Sequence, residues 1–238
     1  NIFIKKLKMK NLFLSILVFG FSINSIAQTT YWTSYNFSVD PENEETVYNL
    51  MDNHFKNNPI DGVTVYLYEN HIKDHGNNYT HNVILTGSKE AMSANYDSPK
   101  NKSFELFQSK IGYFTKSHSS SMGNRTSTFN NGDKPIQKYY FIDAEDSSKL
   151  STAFKNYGKY RPKNHQALFG SITSGASPAG ESHWIIIGFD NFKDALSQND
   201  YRQNDKAAQQ AWNKYLEDGF VGETSIVRSG LRIMLGKW

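Results

Sequence analysis

Residues 79–92, YTHNVILTGSKEAM, return later in the chain as residues 182–196, SHWIIIGFDNFKDAL. Each copy contains a histidine, an apolar run, a glycine, a polar capping residue and then a lysine, an acidic residue and an alanine. An apolar run that ends at a glycine and a capping residue is typical of a strand, a tight turn and the start of a helix. The recurrence therefore predicts that the chain uses one structural module twice.

The order of the predicted elements also repeats. In the first half, the patterns predict a strand at 32–39, a helix after Asp40, strands at 63–68 and 81–86, helices after Ser88 and from Lys102, and an irregular strand at 126–129. The second half reads as a strand at 138–143, a helix at 150–157, strands at 165–172 and 182–187, a helix capped by Asp190, a longer helix around Trp212 and a strand at 223–235. Each half follows the split βαββαβ order of a ferredoxin-like module.

The N-terminal segment has the three parts of a secretory signal peptide. Lys8 and Lys10 precede an apolar run at 12–21, and small residues lead to Ala27, after which we expect cleavage. Residues 1–8 are interpreted as upstream reading frame, so residues 1–27 are absent from the expected mature protein. The mature chain then divides into a first repeat at 28–137 and a second at 138–238. The apolar run is short and interrupted for a membrane span, so no membrane attachment is expected after cleavage.

Composition narrows the class of protein further. The chain has 238 residues, a formal net charge of +3 and no cysteine. Four of its lysines lie in the segment expected to be removed, so no basic footprint for nucleic acid remains. Disulfides, thiol chemistry and a lipid anchor on cysteine are excluded. The signal is of bacterial type and predicts a periplasmic or secreted protein, whose length supplies a sufficient core without disulfides.

The two motifs carry a resemblance to a known fold family. HNVILTG followed by KEA, HWIIIGF followed by KDA, and the helix positions Phe104 and Trp212 resemble the dimeric α+β barrel superfamily, the antibiotic-biosynthesis-monooxygenase-like group. The resemblance implies an α+β fold in which two tandem ferredoxin-like repeats pack sheet to sheet as a pseudo-dimeric barrel with helices outside. That group includes cofactor-free monooxygenases, isomerases, haem-degrading enzymes and haem peroxidases, so the fold does not specify the reaction.

Two histidines are the candidate catalytic residues. His81 and His183 begin equivalent strands, and the alternation of a strand places His81 on the same face as Val83 and Leu85. If that face lines the barrel lumen, each imidazole could transfer a proton at the mouth of a pocket. The alternative is a hydrogen-bonded histidine at a strand start that was duplicated with the repeat.

A second set of residues could bind a ligand. Arg228 and Arg232 in the last strand, with Arg125 in the first half, could hold an anionic group inside a barrel, or could pair with acids at the surface. Aromatic residues could line an apolar pocket, although such residues are equally typical of a core. The candidate ligand-binding residues are therefore Tyr66, Tyr68, Tyr140, Trp184, Arg228 and Arg232.

No metal site is predicted. The run at 69–75 concentrates donors that could join His81 around zinc or iron, but the second repeat has no matching donors and the spacing fits no known signature. We interpret it as a solvated hairpin loop. The Gly/Ser-rich stretch at 170–178 lacks the lysine and the following helix of a phosphate-binding loop, so we interpret it as a hairpin connection.

The sequence thus predicts an exported protein without a cofactor that binds a small apolar or aromatic ligand between its two repeats. The alternative is a cofactor-independent monooxygenase- or isomerase-like enzyme that uses a strand histidine to move a proton. Haem or metal binding is the third hypothesis. Further self-association of the barrel is left open by the sequence.

Overall fold

The computed structural model describes residues 29–99, 101–177 and 179–238. The predicted signal peptide lies outside these ranges, and within them no helix combines the length and apolarity that a membrane crossing requires. The strands are β1 (Thr30–Val39), β2 (Val63–Lys73), β3 (His81–Gly87), β4 (Thr115–Phe129), β5 (Ile136–Asp143), β6 (Gln166–Ser174), β7 (His183–Phe189) and β8 (Ser225–Lys237). The helices are α1 (Glu44–Asn57), α2 (Lys89–Asp97), α3 (Lys102–Ile111), α4 (Ser147–Gly158), α5 (Phe192–Leu196), α6 (Asp200–Asn204) and α7 (Lys206–Gly219), with a 3-10 turn at Pro41–Asn43.

All eight strands belong to one closed antiparallel barrel. The strands follow one another around the ring as β1-β3-β2-β8-β5-β7-β6-β4. Strand β4 pairs with β1 and β6, and strand β8 pairs with β5 and β2. Each of these strands joins the first half of the chain to the second. Closure gives every strand two neighbours and leaves no free edge for association. The predicted α+β class with an antiparallel barrel is confirmed.

Alternation along the strands divides the apolar residues between the two faces of the barrel wall. The outward side chains of β1, β2 and β3, such as Phe37 and Val65, form one buried cluster with Met51 and Phe55 of α1. A separate cluster lies under α4 and α7 in the second half, around Phe154. A smaller third cluster of Trp32, Leu168 and Trp184 faces inward. Helices on the outer face therefore leave the inner face free to form a site.

Strand β4 is much longer than the pattern at 126–129 predicts. It extends over Thr115–Phe129, and its first half is a run of serine and polar residues with mostly exposed side chains. This segment lacks apolar alternation because it contributes little to either core. Its backbone is nevertheless paired with β1 from Thr115 onward. Backbone hydrogen bonding to β1, rather than the local sequence, therefore holds this stretch in the strand conformation. Strand β2 also continues to Lys73, through residues expected to form a loop.

The helix caps partly match the predictions. The Ser88 hydroxyl accepts a hydrogen bond from the backbone N–H of Ala91, as a capping residue does. The prediction that Asp190 caps the next helix is wrong. Asn191 stands directly before α5 and accepts the bond from the N–H of Asp194, and the Asp190 carboxylate instead accepts one from Lys134 at 2.7 Å.

Replacement of Phe154 by alanine will destabilise the fold strongly. Phe154 is 1 % exposed and its ring lies 5.1 Å from that of Phe169. Removing it leaves a cavity under α4, which costs about 3–5 kcal/mol of unfolding free energy. The measurement is urea denaturation of the mature protein. Lys155→Ala on the exposed face of the same helix serves as control and should change stability by less than about 0.5 kcal/mol. A loss below about 1 kcal/mol for Phe154→Ala would contradict this packing.

Candidate ligand site in the barrel lumen

The barrel encloses a cavity of about 440 Å³. This volume falls within the range of small-molecule sites. Successive strand residues point to opposite faces, so the lumen receives one residue in two from each strand. In β1 these are Trp32, Ser34 and Asn36, and in β3 they are Asn82, Ile84 and Thr86. The lumen is therefore built mainly by the side chains that alternate with those of the outer cores.

Three neighbouring strands form a polar wall. β2, β8 and β5 stand side by side in the ring and contribute Tyr68, Asn70, Gln137, Tyr139 and Arg232. The Tyr139 hydroxyl donates to the Asn70 amide oxygen at 2.6 Å. The Gln137 amide nitrogen donates to the Tyr68 hydroxyl at 3.3 Å. These hydrogen bonds link the three strands across the lumen face and fix the side chains before any ligand binds.

Arg232 lies at the centre of this wall. Its Nε and Nη2 atoms both donate to the Gln137 amide oxygen, at 2.9 and 2.7 Å. The guanidinium carbon lies 4.1 Å from the centre of the Tyr68 ring, a cation–π distance. Arg232 is only 8 % exposed, and burial lowers the pKa of its guanidinium from the ordinary value. An arginine stays protonated even so, and the charge is held in place by neutral partners.

An apolar cluster lies opposite part of this wall. In the ring of eight strands, β6, β4 and β1 stand across from β2, β8 and β5. Of these, β4 lines the cavity mainly with polar residues, whereas β1 and β6 carry Trp32 and Leu168. Trp32 of β1 and Trp184 of β7 meet edge to face with ring centroids 5.9 Å apart, and Leu168 packs against them. Glycines provide the space for the indoles. A Cβ at Gly170, the neighbour of Trp184 in the ladder, would overlap that ring and the Asn124 carbonyl.

The remaining lumenal charges have charged or polar partners within the chain. Arg228 pairs with Glu181, a carboxylate only 1 % exposed. The guanidinium of Arg125 donates to the Thr30 hydroxyl at 2.9 Å, and burial lowers its pKa. Asp133 is exposed; it pairs with Lys237 and accepts a hydrogen bond from Tyr66. Within the described ranges, Glu181 and Asp133 are the only carboxylates that line the cavity.

The lumenal tyrosines are neutral. Burial is the main cause that raises the pKa of Tyr66, Tyr68, Tyr79 and Tyr139 above the ordinary value. These phenols therefore keep their protons at neutral pH and can donate hydrogen bonds. They do not supply negative charge to the arginines beside them.

The structure places both candidate histidines outside the lumen. His81 and His183 lie on the face of the sheet that carries the outer cores, so the condition for a role in a lumenal pocket is not met. Their surroundings match: each Nδ1 lies 2.9 Å from the hydroxyl of the preceding residue, Thr80 or Ser182, and each ring stacks on a phenylalanine. Burial lowers the pKa of both imidazoles. The duplicated contacts fit the structural alternative.

The predicted ligand-binding residues mostly come together. Tyr66, Tyr68, Trp184, Arg228 and Arg232 all line the cavity, and Arg125 joins them. The expected lumenal position of Tyr140 is wrong, because its side chain packs against the outer core of the second half. Its neighbour Tyr139 occupies the lumen instead. Both faces of β5 carry a tyrosine at this point, so alternation alone did not reveal which one points inward.

Several lumenal residues were missed by the sequence analysis. They include Trp32, Gln137, Leu168 and Glu181. Glu181 stands just before the second copy of the motif, and it is buried in an ion pair with Arg228 of β8. No local pattern indicates that long-range contact. Trp32 and Gln137 lie at matching positions, since they pair with Thr86 and Gly188 of equivalent strands.

The lumenal residues do not fit a haem or a chelated metal. Among the described residues, no group of three or more His, Cys, Asp or Glu side chains could hold a metal ion. No His, Cys or Met from the described ranges lines the cavity, so the lumenal tyrosines would be the axial side-chain ligands of a haem iron there. Burial raises the pKa of these phenols and opposes the deprotonation that such a bond requires. In the run at 69–75, Asp74 accepts hydrogen bonds from Gly76 and Asn77, and His71 contacts Glu69 at the surface.

Comparison with known proteins identifies the fold. The chain is similar to a protein of Fusobacterium nucleatum provisionally assigned as a monooxygenase, with a TM-score of 0.58 and 11% identity over 89% of this chain and 95% of that one. An anthrone oxidase-like protein matches with a TM-score of 0.54 and 11% identity, covering 90% and 94% of the two chains. A variant of chlorite dismutase from Candidatus Nitrospira defluvii matches with a TM-score of 0.54 and 11% identity, covering 87% and 91%.

These likenesses concern the fold. They show that the chain shares its fold with these proteins, as the predicted resemblance implies. No protein-family model matches the chain, and no curated protein matches it.

Acidification will destabilise the protein in part through its two strand histidines. Because burial lowers the folded-state pKa of His81 and His183, the unfolded chain binds protons more readily. Their stability contribution is therefore present above about pH 6.5 and is lost as the pH falls toward the lowered pKa. We expect Tm to fall between about pH 7.5 and pH 5, and to fall less in the double variant His81→Asn, His183→Asn.

The control is Phe37→Leu, which removes the ring stacked on His81 without removing a titrating group. This variant should be less stable at every pH but should keep most of the wild-type dependence. An unchanged pH dependence in the double histidine variant would contradict the assignment.

Proposed function

We propose that this is an exported protein of two ferredoxin-like repeats that binds a small apolar or aromatic molecule in the lumen of its barrel. The observation that carries the proposal is the cavity of about 440 Å³, which combines an apolar cluster of Trp32, Leu168 and Trp184 with a polar wall. Ligand sites are typically concave and mainly apolar, with a few fixed polar groups that orient the ligand. The lumen has this composition, and its polar groups are fixed by bonds between strands.

The strand order supports the tandem arrangement. The first half runs β4-β1-β3-β2 across the ring and the second half runs β8-β5-β7-β6, so corresponding strands occupy corresponding places. That is the order of a ferredoxin-like sheet, with each half carrying its helices on the outer face. The matching environments of His81 and His183 support the same proposal. We retain residues 28–137 and 138–238 as the two repeats.

An enzyme of the monooxygenase or isomerase kind is the second candidate. It is favoured by the shared fold with proteins assigned as monooxygenases or described as anthrone oxidase-like. The buried carboxylate that could transfer a proton within the lumen is Glu181, because Asp133 is exposed and paired with Lys237 and no histidine of the described ranges lines the cavity. The Glu181 carboxylate is already engaged by Arg228 and by the Ser177 hydroxyl, which favours binding over proton abstraction. Turnover of an aromatic substrate that is abolished by Glu181→Gln would favour the enzyme.

A larger side chain in the lumen will weaken ligand binding. Ser34 lines the cavity on the β1 strand and is buried, whereas the adjacent Tyr35 points outward and is 42 % exposed. We expect Ser34→Phe to weaken binding of the neutral probe 2-naphthamide by at least about tenfold in calorimetric titrations, because the added ring occupies the site. Tyr35→Phe is the matched control on the opposite face. Equal affinity of Ser34→Phe and wild type would contradict a lumenal site.

Export can be tested at the N-terminus. Expressed from Met9 in a bacterium, the chain should appear outside the cytoplasm with Gln28 as its first residue, because cleavage is expected after Ala27. Mass spectrometry of the purified protein identifies that residue. Leu17→Arg interrupts the apolar run and should retain the uncleaved chain in the cytoplasm. A wild-type chain that remains cytoplasmic and begins at Met9 would contradict export.

A further inference from the structure

Arg232 carries a buried positive charge that no carboxylate compensates within the described ranges. Its protein acceptor is the Gln137 amide oxygen, which takes hydrogen bonds from both Nε and Nη2. That oxygen is neutral, and the nearby lumenal tyrosines are neutral as well because burial raises their pKa. An isolated charge is costly to bury unless something pairs with it.

The geometry also leaves part of the guanidinium unused. The two bonds to Gln137 engage Nε and one hydrogen of Nη2, so that Nη1 has no acceptor in the described part of the chain. Nη1 and the second hydrogen of Nη2 form a planar edge that matches the two oxygens of a carboxylate. Stacking on Tyr68 fixes the plane of the group. Arg232 lines the cavity, so this edge belongs to the proposed ligand site.

The other arginine on this strand contrasts with Arg232. Arg228 also lines the lumen, but it pairs with the buried carboxylate of Glu181. One of the two β8 arginines is therefore neutralised within the chain and the other is not. The third lumenal arginine, Arg125, lies near the Asp133 carboxylate, which raises its pKa against the effect of burial, whereas only tyrosines act in this way on Arg232. A ligand with a single negative charge would balance Arg232, whereas a dianion would bring a second charge into a buried site beside Glu181.

We propose, resting on the proposed lumenal binding, that the ligand is an aromatic monocarboxylate. Its carboxylate accepts hydrogen bonds from Arg232, and its ring packs against the cluster of Trp32, Leu168 and Trp184. Trp32 on β1 and Leu168 on β6 flank β4, the strand opposite β8 in the ring, so one planar molecule can contact both Arg232 and this cluster. Charge and shape together then select aromatic acids over neutral aromatic compounds of the same size.

The test is calorimetric titration of the mature protein with 2-naphthoate and with 2-naphthamide, which has the same ring system and no charge. Wild type should bind 2-naphthoate at least about tenfold more tightly, as expected for a charge-assisted hydrogen bond. Arg232→Gln should remove this preference, because it weakens binding of 2-naphthoate at least about tenfold more than binding of 2-naphthamide. Arg202→Gln, which removes an arginine stacked on Trp212 outside the barrel, is the matched control and should keep the preference.

Each outcome bears on a different claim. Equal binding of the two probes by wild type would overturn the selection of acids while leaving the lumenal site in place. A preference that survives Arg232→Gln would also overturn the assignment. Binding of neither probe would overturn the lumenal site and this inference with it. If Arg232→Gln does not fold, Arg232→Lys retains the charge but lacks the planar edge, and the preference should fall by about threefold or more.

Discussion

The closure of the barrel by β4 and β8 is the constraint on which the rest of the structure depends. Each of these strands is hydrogen-bonded to one strand from each half of the chain, so neither half is complete without the other. A sheet with helices on one face only has a second face that must be covered. Here the closed barrel covers its own inner face, and the ladders of β4 and β8 join the two halves of the chain around it. The lumen is the space that the closed ring of strands encloses.

The lumen differs from the outer cores in the way it is filled. The outer clusters are packed with aliphatic and aromatic residues beneath the helices, whereas the lumen combines indoles with an arginine, amides and phenols. Buried polar groups of this kind add less stability than apolar packing would, and Arg232 carries a charge with neutral partners. A chain under selection for stability alone would gain by replacing them. Their presence in a cavity, fixed by hydrogen bonds between strands, is better explained by a ligand that completes the pairing.

The sequence predicts much of the fold because the outer face of each strand is apolar and alternates regularly. The duplicated motif identifies β3 and β7, and the cap at Ser88 follows from local chemistry. The polar first half of β4 escapes prediction, since its strand conformation is imposed by pairing with β1. The candidate site is predicted in part: Arg228, Arg232 and Trp184 are placed in the lumen, but the direction of Tyr139 against Tyr140 depends on register. The repetition of His81 and His183 suggested a catalytic role. In the structure each histidine contacts the hydroxyl of the preceding residue and stacks on a phenylalanine at the start of its strand.

The most direct measurement is the response of the four tryptophan indole N–H signals in a two-dimensional NMR spectrum during titration with 2-naphthoate. Trp32 and Trp184 face the lumen, whereas Trp212 packs on Tyr157 outside the barrel and Trp238 packs on Phe55. A ligand in the lumen should shift the signals of Trp32 and Trp184 and leave those of Trp212 and Trp238 nearly unchanged. Shifts confined to Trp212 and Trp238 would place the ligand outside the barrel and contradict the account.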